Sequence, residues 1–536
     1  MPETTETSAA AAPPPQQWQP RFNPWLIAVV VAMAAFMEVL DTSIANVALP
    51  YIAGGLAASN SQSTWVLTSY LAANAVVLPI SGWLASRFGR KHLFILCILL
   101  FTLSSVLCGS APNLGVLILF RAIQGAGGGG LQPMAQAILA DTFPPQKRGM
   151  AFALYGITAV LAPTIGPTLG GWITYNYSWR WIFYINLPIG GLAAFLVFRM
   201  IEDPPYLSLR RSAGVRLDYI GLGFLALGIG ALQVVLDKGQ EDDWFGSHVI
   251  LTLSVIAAIC LTSLIFWEWF HRDPIMDLRL FKNFNFAAAN LMMFTLGVVY
   301  FSSLVLMPQL LQTLMGYTAE LAGLVLSASG AVLLLTMPIV GQLTTRVPAK
   351  YLIAFGWLSI GAAMLYSTRR IDLDISFSVA MWLRVEQTAG LAFLFVPITL
   401  ASYIGIQPEK SNDAAGLINF MRNIGSSVGT SMVTTLLARR AQFHQSMLVY
   451  HVTRYDPAFQ TQMSGLTRQL VYSGATAADA QGKAYGLIYQ GVGTQAQTLA
   501  YLDAFKVLAI GAGIMFALAF LVRHNDPKAG GEVAVG

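Results

Sequence analysis

The chain has 536 residues, 55% of them hydrophobic and only 11% charged, with a formal net charge of +5. Soluble domains carry about 25% charged residues, so the composition excludes a soluble globular protein and describes a polytopic membrane protein. The positive balance does not mark a nucleic-acid binder, because Lys and Arg gather in short loops between apolar runs.

Residues 1–24 are polar and Pro/Ala-rich and read as a disordered cytoplasmic tail. The first apolar run is full length and shows no cleavage site after a short core, so it is expected to stay as a span. At roughly 20 apolar residues per crossing the sequence predicts an all-α integral membrane fold with fourteen spans. These lie near 25–48, 64–85, 92–110, 114–139, 149–173, 181–199, 218–237, 248–269, 286–308, 320–343, 350–367, 377–404, 413–437 and 504–522. Loops after even-numbered spans collect basic residues such as Arg87, Arg90, Lys91, Lys147, Arg148, Arg210, Arg211, Arg216, Arg346 and Lys350. The opposite short loops hold few, so both termini are expected in the cytoplasm. One long extramembrane segment, 440–502, is rich in Gln, Ala, Tyr and Gly with weak helical periodicity, and reads either as a solvated connector or as a docking surface.

The fourth span concentrates the chemistry. Leu117 to Ile138 is apolar, yet it carries Arg121 and Gln124 and then a glycine run, Gly127 to Gly130. A permanent charge at membrane depth costs several kcal/mol unless paired or hydrated, and the glycines clear one helix face for close approach. Together they suggest a solute path. Cys97, Cys108 and Cys260 lie within apolar runs as core filling, and the six histidines are scattered, so no disulfide framework or metal site is expected.

An internal repeat sets the architecture. Gly82-Trp-Leu-Ala-Ser-Arg87 ends span 2 and Gly341-Gln-Leu-Thr-Thr-Arg346 ends span 10. Arg121-x-x-Gln124 with Pro133 in span 4 is echoed by Arg384-x-x-Gln387 with Pro397 in span 12, and Gly166 with Gly170 by Gly425 with Gly429. Three matches in one order, each offset by eight spans, imply two six-helix halves, 25–200 and 274–523. Spans 7 and 8 form an insert within 201–273, and 524–536 reads as a cytoplasmic tail. Parallel six-helix repeats are a transporter signature.

Several motifs carry a family resemblance. Leu40 to Pro50 (LDTSIANVALP) resembles the first-helix motif of the fourteen-span drug:proton antiporters of the major facilitator superfamily. Gly82 to Lys91 is similar to the superfamily loop motif, Arg121 to Gly130 to its helix-4 motif, and Ala162 to Gly171 (APTIGPTLGG) to its helix-5 antiporter motif. Trp179 to Gly190 and Pro274 to Phe286 resemble the EmrB-type exporters in particular. The resemblance implies proton-driven export of hydrophobic compounds across the inner membrane of a Gram-negative cell, with no cofactor beyond the coupling proton. It also implies a periplasmic adaptor of the EmrA type and an outer-membrane channel of the TolC type. One departure stands out: Ser86 occupies a loop-motif position that usually holds Asp, which puts one conformational lock in doubt.

Proton coupling needs a group that changes charge. Glu38 and Asp41 are three apart on span 1 and hence on one helix face. The family motif covers Asp41, which makes it the first candidate for the proton carrier, with Glu38 second and Arg121 as their organiser. The alternative for Asp41 is a structural hydrogen-bonding clamp. Candidate switch residues are Gly82, Arg87, Gly89 and Arg90 in the loop motif and Pro163, Gly166, Pro167, Gly170 and Gly171 on span 5, where kinks and smooth faces let two bundles rock. Candidate pocket residues are Asn46, Tyr70, Asn74, Gln124, Gln132, Gln136, Tyr155, Asn290, Gln309, Gln312, Tyr403 and Asn419, each with helix-packing hydrogen bonding as its alternative. Arg422 reads as snorkelling to headgroups near the cytoplasmic boundary, with a substrate contact as the alternative. No phosphate cradle of an ATP-driven pump is present, nor an enzyme's constellation. The remaining alternatives to multidrug antiport are a dedicated exporter of one natural compound, such as a fatty acid or secreted metabolite, and a ligand-binding receptor on a transporter fold.

Overall fold

A computed structural model describes residues 20–203, 218–272, 274–450 and 452–522. The predicted tails up to residue 19 and from 523, and the loop arginines 210, 211 and 216, lie outside these described residues. The N-terminal half runs through α1 (Pro24–Gly55), α2 (Trp65–Phe88), α3 (Arg90–Gly109), α4 (Leu114–Gly128), α5 (Leu131–Thr142), α6 (Pro145–Asn176) and α7 (Asn186–Met200). The insert is α8 (Tyr219–Lys238) and α9 (His248–Phe270). The C-terminal half comprises α10 (Phe284–Leu296), α11 (Ser302–Thr313), α12 (Ala319–Leu343), α13 (Ala349–Arg370), α14 (Phe377–Ala389), α15 (Leu391–Ser402), α16 (Ser411–Tyr450), α17 (Pro457–Tyr472) and α18 (Ala477–Ala519).

Local chemistry sets the breaks. Asn23 caps α1, its side-chain oxygen accepting from the Trp25 amide at 2.9 Å, with Pro24 in the first turn. Gly89, at φ +83°, makes the tight corner between α2 and α3 that a side chain would strain. The glycine run splits span 4 into α4 and α5, and Gly390 splits span 12 into α14 and α15 at the matching place. Span 9 is interrupted differently, by a π-helical turn at Gly297–Phe301 between α10 and α11. Such π-turns concentrate at functional sites.

Among the described residues, thirteen helical segments are long and apolar enough to cross a membrane. The predicted span not among them, the thirteenth at 413–437, falls on α16, a helix of 40 residues whose apolar character is diluted. Ser411, Asn412, Asp413, Asn419 and Arg422 are all buried on it, so its polar side faces protein and its hydropathy understates its burial. The segment 440–502 is also more ordered than its sequence suggests. It consists of the end of α16, the separate helix α17 and the start of α18, packed around Met463, Ala484 and Ile488.

The two halves meet along two helix pairs, α6 with α12 and α2 with α16. At the end of the bundle marked by Gly89 the contact tightens. There α5 also packs on α16 and α15 on α6, whereas α4 and α14, their continuations toward the Asn113 end, pack chiefly within their own halves. The structure is therefore closed between the halves at the Gly89 end. The insert lies outside, with α8 against both α2 and α16, where Ser427 donates to Gln233 at 3.0 Å.

Candidate coupling site and the interface between the halves

Asp41 and Arg121 form a buried ion pair, Nη1 to Oδ2 at 2.5 Å, with the two residues 2% and 0% exposed. Each charge is further satisfied. Asp41 accepts from Gln124 Nε2 at 3.0 Å and Asn186 Nδ2 at 2.6 Å. Arg121 donates to the Val66 carbonyl at 3.1 Å and to Gln124 Oε1 at 2.8 Å, and lies over the Tyr70 ring at 4.3 Å. An ion pair at this depth repays its desolvation only when geometry and extra hydrogen bonds are both good. Here the geometry is good and most hydrogen bonds are made, Arg121 Nη2 lacking an acceptor among the described residues, and the pair ties α1, α4 and α7 together inside one half.

Glu38 lies one turn along the same helix face and has a different environment. It is 3% exposed and accepts from Tyr70 OH at 3.0 Å, from Asn74 Nδ2 at 3.1 Å and from Gln132 Nε2, with no salt bridge among the described residues. Gln132 is the hinge of this network, because its carbonyl also accepts from Tyr155 OH at 3.2 Å and from Arg422 of the opposite half. Arg422 is 4% exposed and lies over the Phe395 ring at 5.8 Å. It therefore does not snorkel to headgroups, as the sequence suggested; it sits about ten residues into α16, on the face turned to the other half. Beside it Asn419 and Gln136 pair across the interface, Nδ2 to Oε1 at 2.8 Å, and Asn423 donates to Asn74 at 3.4 Å.

Of the predicted pocket residues, Tyr70, Asn74, Gln124, Gln132, Gln136, Tyr155 and Asn419 come together in these two linked networks. The others do not. Asn46, Gln309 and Gln312 are exposed toward the Asn113 end, and Asn290 donates to the Phe286 carbonyl of its own helix at 2.8 Å. Tyr403 is at the Gly89 end, stacked on Phe152 at 5.5 Å.

The loop-motif residues form the closure at that end. Arg90 is ion-paired with Asp141 and donates to Ser411 Oγ of the opposite half at 2.8 Å. Among the described residues Ser86 donates to the Trp83 carbonyl of its own helix, and the carboxylate that serves Arg90 comes from the end of α5. Gly82 abuts Asp413 of α16 so closely that a methyl group there would overlap its carboxylate. Arg87 is exposed.

On span 5 the glycines of the motif pack within their own half. Gly166 and Gly170 face α1 of their own half, where a Cβ would press on Ser43 and Ile44, and Gly171 faces open space. Pro167 has no amide hydrogen, so the Pro163 carbonyl loses its helical partner and accepts instead from Ser43 Oγ at 3.3 Å. The opposite face of α6 meets α12 through small residues: Thr164 and Thr168 against Ser327, Gly330 and Gly323, and Gly149 against Gly341.

Sequence reading missed Asn186, Asp141, Ser411 and the placement of Arg422. Asn186 and Asp141 each sit beside quoted or adjacent motif residues, but nothing in their spacing tells which ion they serve.

The profile of the Major Facilitator Superfamily matches residues 31–430. The multidrug export protein EmrB of Escherichia coli K12 is 37% identical over 517 residues, covering 96% of this chain and 98% of that protein. The chain belongs to the major facilitator superfamily and, within it, to the EmrB-type exporters. EmrB of Haemophilus influenzae is 39% identical, covering 81% of this chain and 85% of its own. The fatty acid resistance protein FarB of Neisseria gonorrhoeae is also 39% identical, covering 84% and 88%. Among solved structures, the proton:xylose symporter XylE matches with a TM-score of 0.61 at 15% identity, over 94% of this chain and 97% of that one. The human organic anion transporter MFSD10 matches at 0.59 and 13% identity, over 93% and 100%. These two establish the fold alone. The superfamily member is an integral membrane protein with two six-helix halves.

Proposed function

We propose that the protein is a proton-coupled antiporter that exports hydrophobic or amphiphilic drugs by alternating access, from the inner membrane of a Gram-negative cell and with both termini cytoplasmic. The names of the EmrB relatives support multidrug export, and the basic loops support the orientation. The resemblance to EmrB-type exporters supports partnership with a periplasmic adaptor and an outer-membrane channel. The observation that carries the reading is the pair of carboxylates on α1, one ion-paired within its half and the other linked through Gln132 to Arg422 of the opposite half.

A proton and the Arg121 guanidinium compete for the same Asp41 carboxylate. Protonation of Asp41 weakens the tie between α1 and α4, and Glu38, three residues along α1, carries that shift to Gln132 and so to the other half. The test is dye efflux from reconstituted vesicles under an imposed pH gradient. Asp41→Asn is expected to abolish gradient-driven efflux while retaining dye binding. Unchanged efflux would remove Asp41 from the mechanism and pass its role to Glu38, tested as Glu38→Gln. The likeness to FarB favours a second reading, export of fatty acids alone. Efflux restricted to long-chain fatty acids, with no dye moved, would select it.

A further inference from the structure

The repeated Arg-x-x-Gln places two arginines at matching points of the two halves, but only one is neutralised. Arg121 Nη1 meets the Asp41 carboxylate, whereas Arg384 Nη1 meets a neutral hydroxyl, Ser303 Oγ at 3.0 Å. Arg384 is 0% exposed, and no carboxylate lies within 4.0 Å of it among the described residues. Its remaining neighbours are also neutral: Gln387 Oε1 at 3.4 Å and the Tyr300 ring at 5.6 Å. Gln387 turns its amide away, to Ser367 Oγ at 2.8 Å.

Two guanidinium nitrogens, Arg384 Nε and Nη2, have no acceptor of good geometry among the described residues, and the Tyr300 hydroxyl lies against the same guanidinium. Tyr300 lies in the π-helical turn Gly297–Phe301 and Ser303 follows shortly after it, so the local break in span 9 presents these two groups toward Arg384. A guanidinium cannot shed its charge, and a buried cation calls for a partner of opposite sign. Unpaired donors around a full positive charge are the recognition chemistry of an anion.

We propose that Arg384, with Tyr300 and Ser303, binds one small monovalent anion, a halide or a short carboxylate from solution, which stands where Asp41 stands in the other half. The full burial of Arg384 limits the ligand to a few atoms. Occupancy neutralises the C-terminal half and ties α14 to α11, as the ion pair ties α4 to α1.

The test is the thermal unfolding of the purified full-length transporter in chloride, acetate, sulfate and gluconate at equal ionic strength. Wild type is expected to gain a few degrees, saturably, in chloride or acetate over gluconate or sulfate. A response to chloride alone would make the site a halide site, and a response to acetate alone a carboxylate site. Ser303→Asp supplies the missing carboxylate within the chain, so it is expected to reach the anion-bound midpoint in gluconate and to lose the response. Arg384→Gln is expected to lose the response as well. Identical wild-type midpoints in all four salts would overturn the proposal, as would an anion response that survives in Ser303→Asp.

Discussion

Asp41 and Arg121 set the energetics at the scale of single residues. Breaking a buried pair from one side leaves an uncompensated charge, at a cost of about 3–5 kcal/mol. Arg121→Leu is therefore expected to lower the unfolding midpoint in denaturant sharply. Asp41→Asn with Arg121→Gln, which removes both charges and keeps hydrogen-bonding groups, should lose much less. Equal losses in the two proteins would show that packing and not charge dominates. Much of this pair was legible in the sequence, because a charge inside an apolar run is conspicuous and the motif on α1 names its partner. Arg422 was misread for an equally physical reason. Its depth was judged from hydropathy, and the helix that carries it begins with a run of buried polar residues that hides where the span starts.

At the scale of elements, α6 shows how one helix serves two neighbours. Its glycines admit α1 and its threonines and remaining glycines admit α12. Gly166→Val is expected to push α1 off α6 and to cost about 1–3 kcal/mol by overpacking, whereas Gly171→Ala, with nothing within 4 Å of its Cβ, should be silent. Thermal unfolding of the two variants checks both. The sequence marked these glycines as a contact face but not which neighbour they contact, since spacing on one helix says nothing about its rotation in the bundle. The helices within 440–502 were hidden for another reason: large residues such as Phe443, Tyr472, Tyr485 and Leu487 are exposed, which blurs the periodicity, and only a few apolar positions, such as Met463 and Ile488, pack inward.

For the whole molecule, the closure at the Gly89 end is a statement about which conformation is shown. A Cβ on Gly149 would lie 3.4 Å from the Thr344 Cβ across the halves, close to the ~3.5–4.5 Å spacing of a disulfide. Gly149→Cys with Thr344→Cys is expected to cross-link on oxidation, to stop gradient-driven efflux and to regain it on reduction. The native cysteines are buried and lie elsewhere. Continued efflux in the oxidised protein would mean that the two halves need not part at this end. The two-half plan itself was readable from the repeat, whereas the conformation was not, because the same residues line the interface whichever end is closed.

The helix α18 runs without interruption from Ala477 to Ala519, so the hairpin and the last span share one rod. At 1.5 Å per residue, the portion preceding Asp503 reaches about 40 Å. The rod is fastened near its middle, where Asp503 meets Arg440 and His444 of α16. A tilt of about ten degrees in the last span, within the ordinary range for helices in a bilayer, would sweep the far tip through roughly 7 Å. Helix movements too small to resolve in the packed core would thus arrive at the hairpin magnified, giving a protein resting there a mechanical signal of each transport cycle.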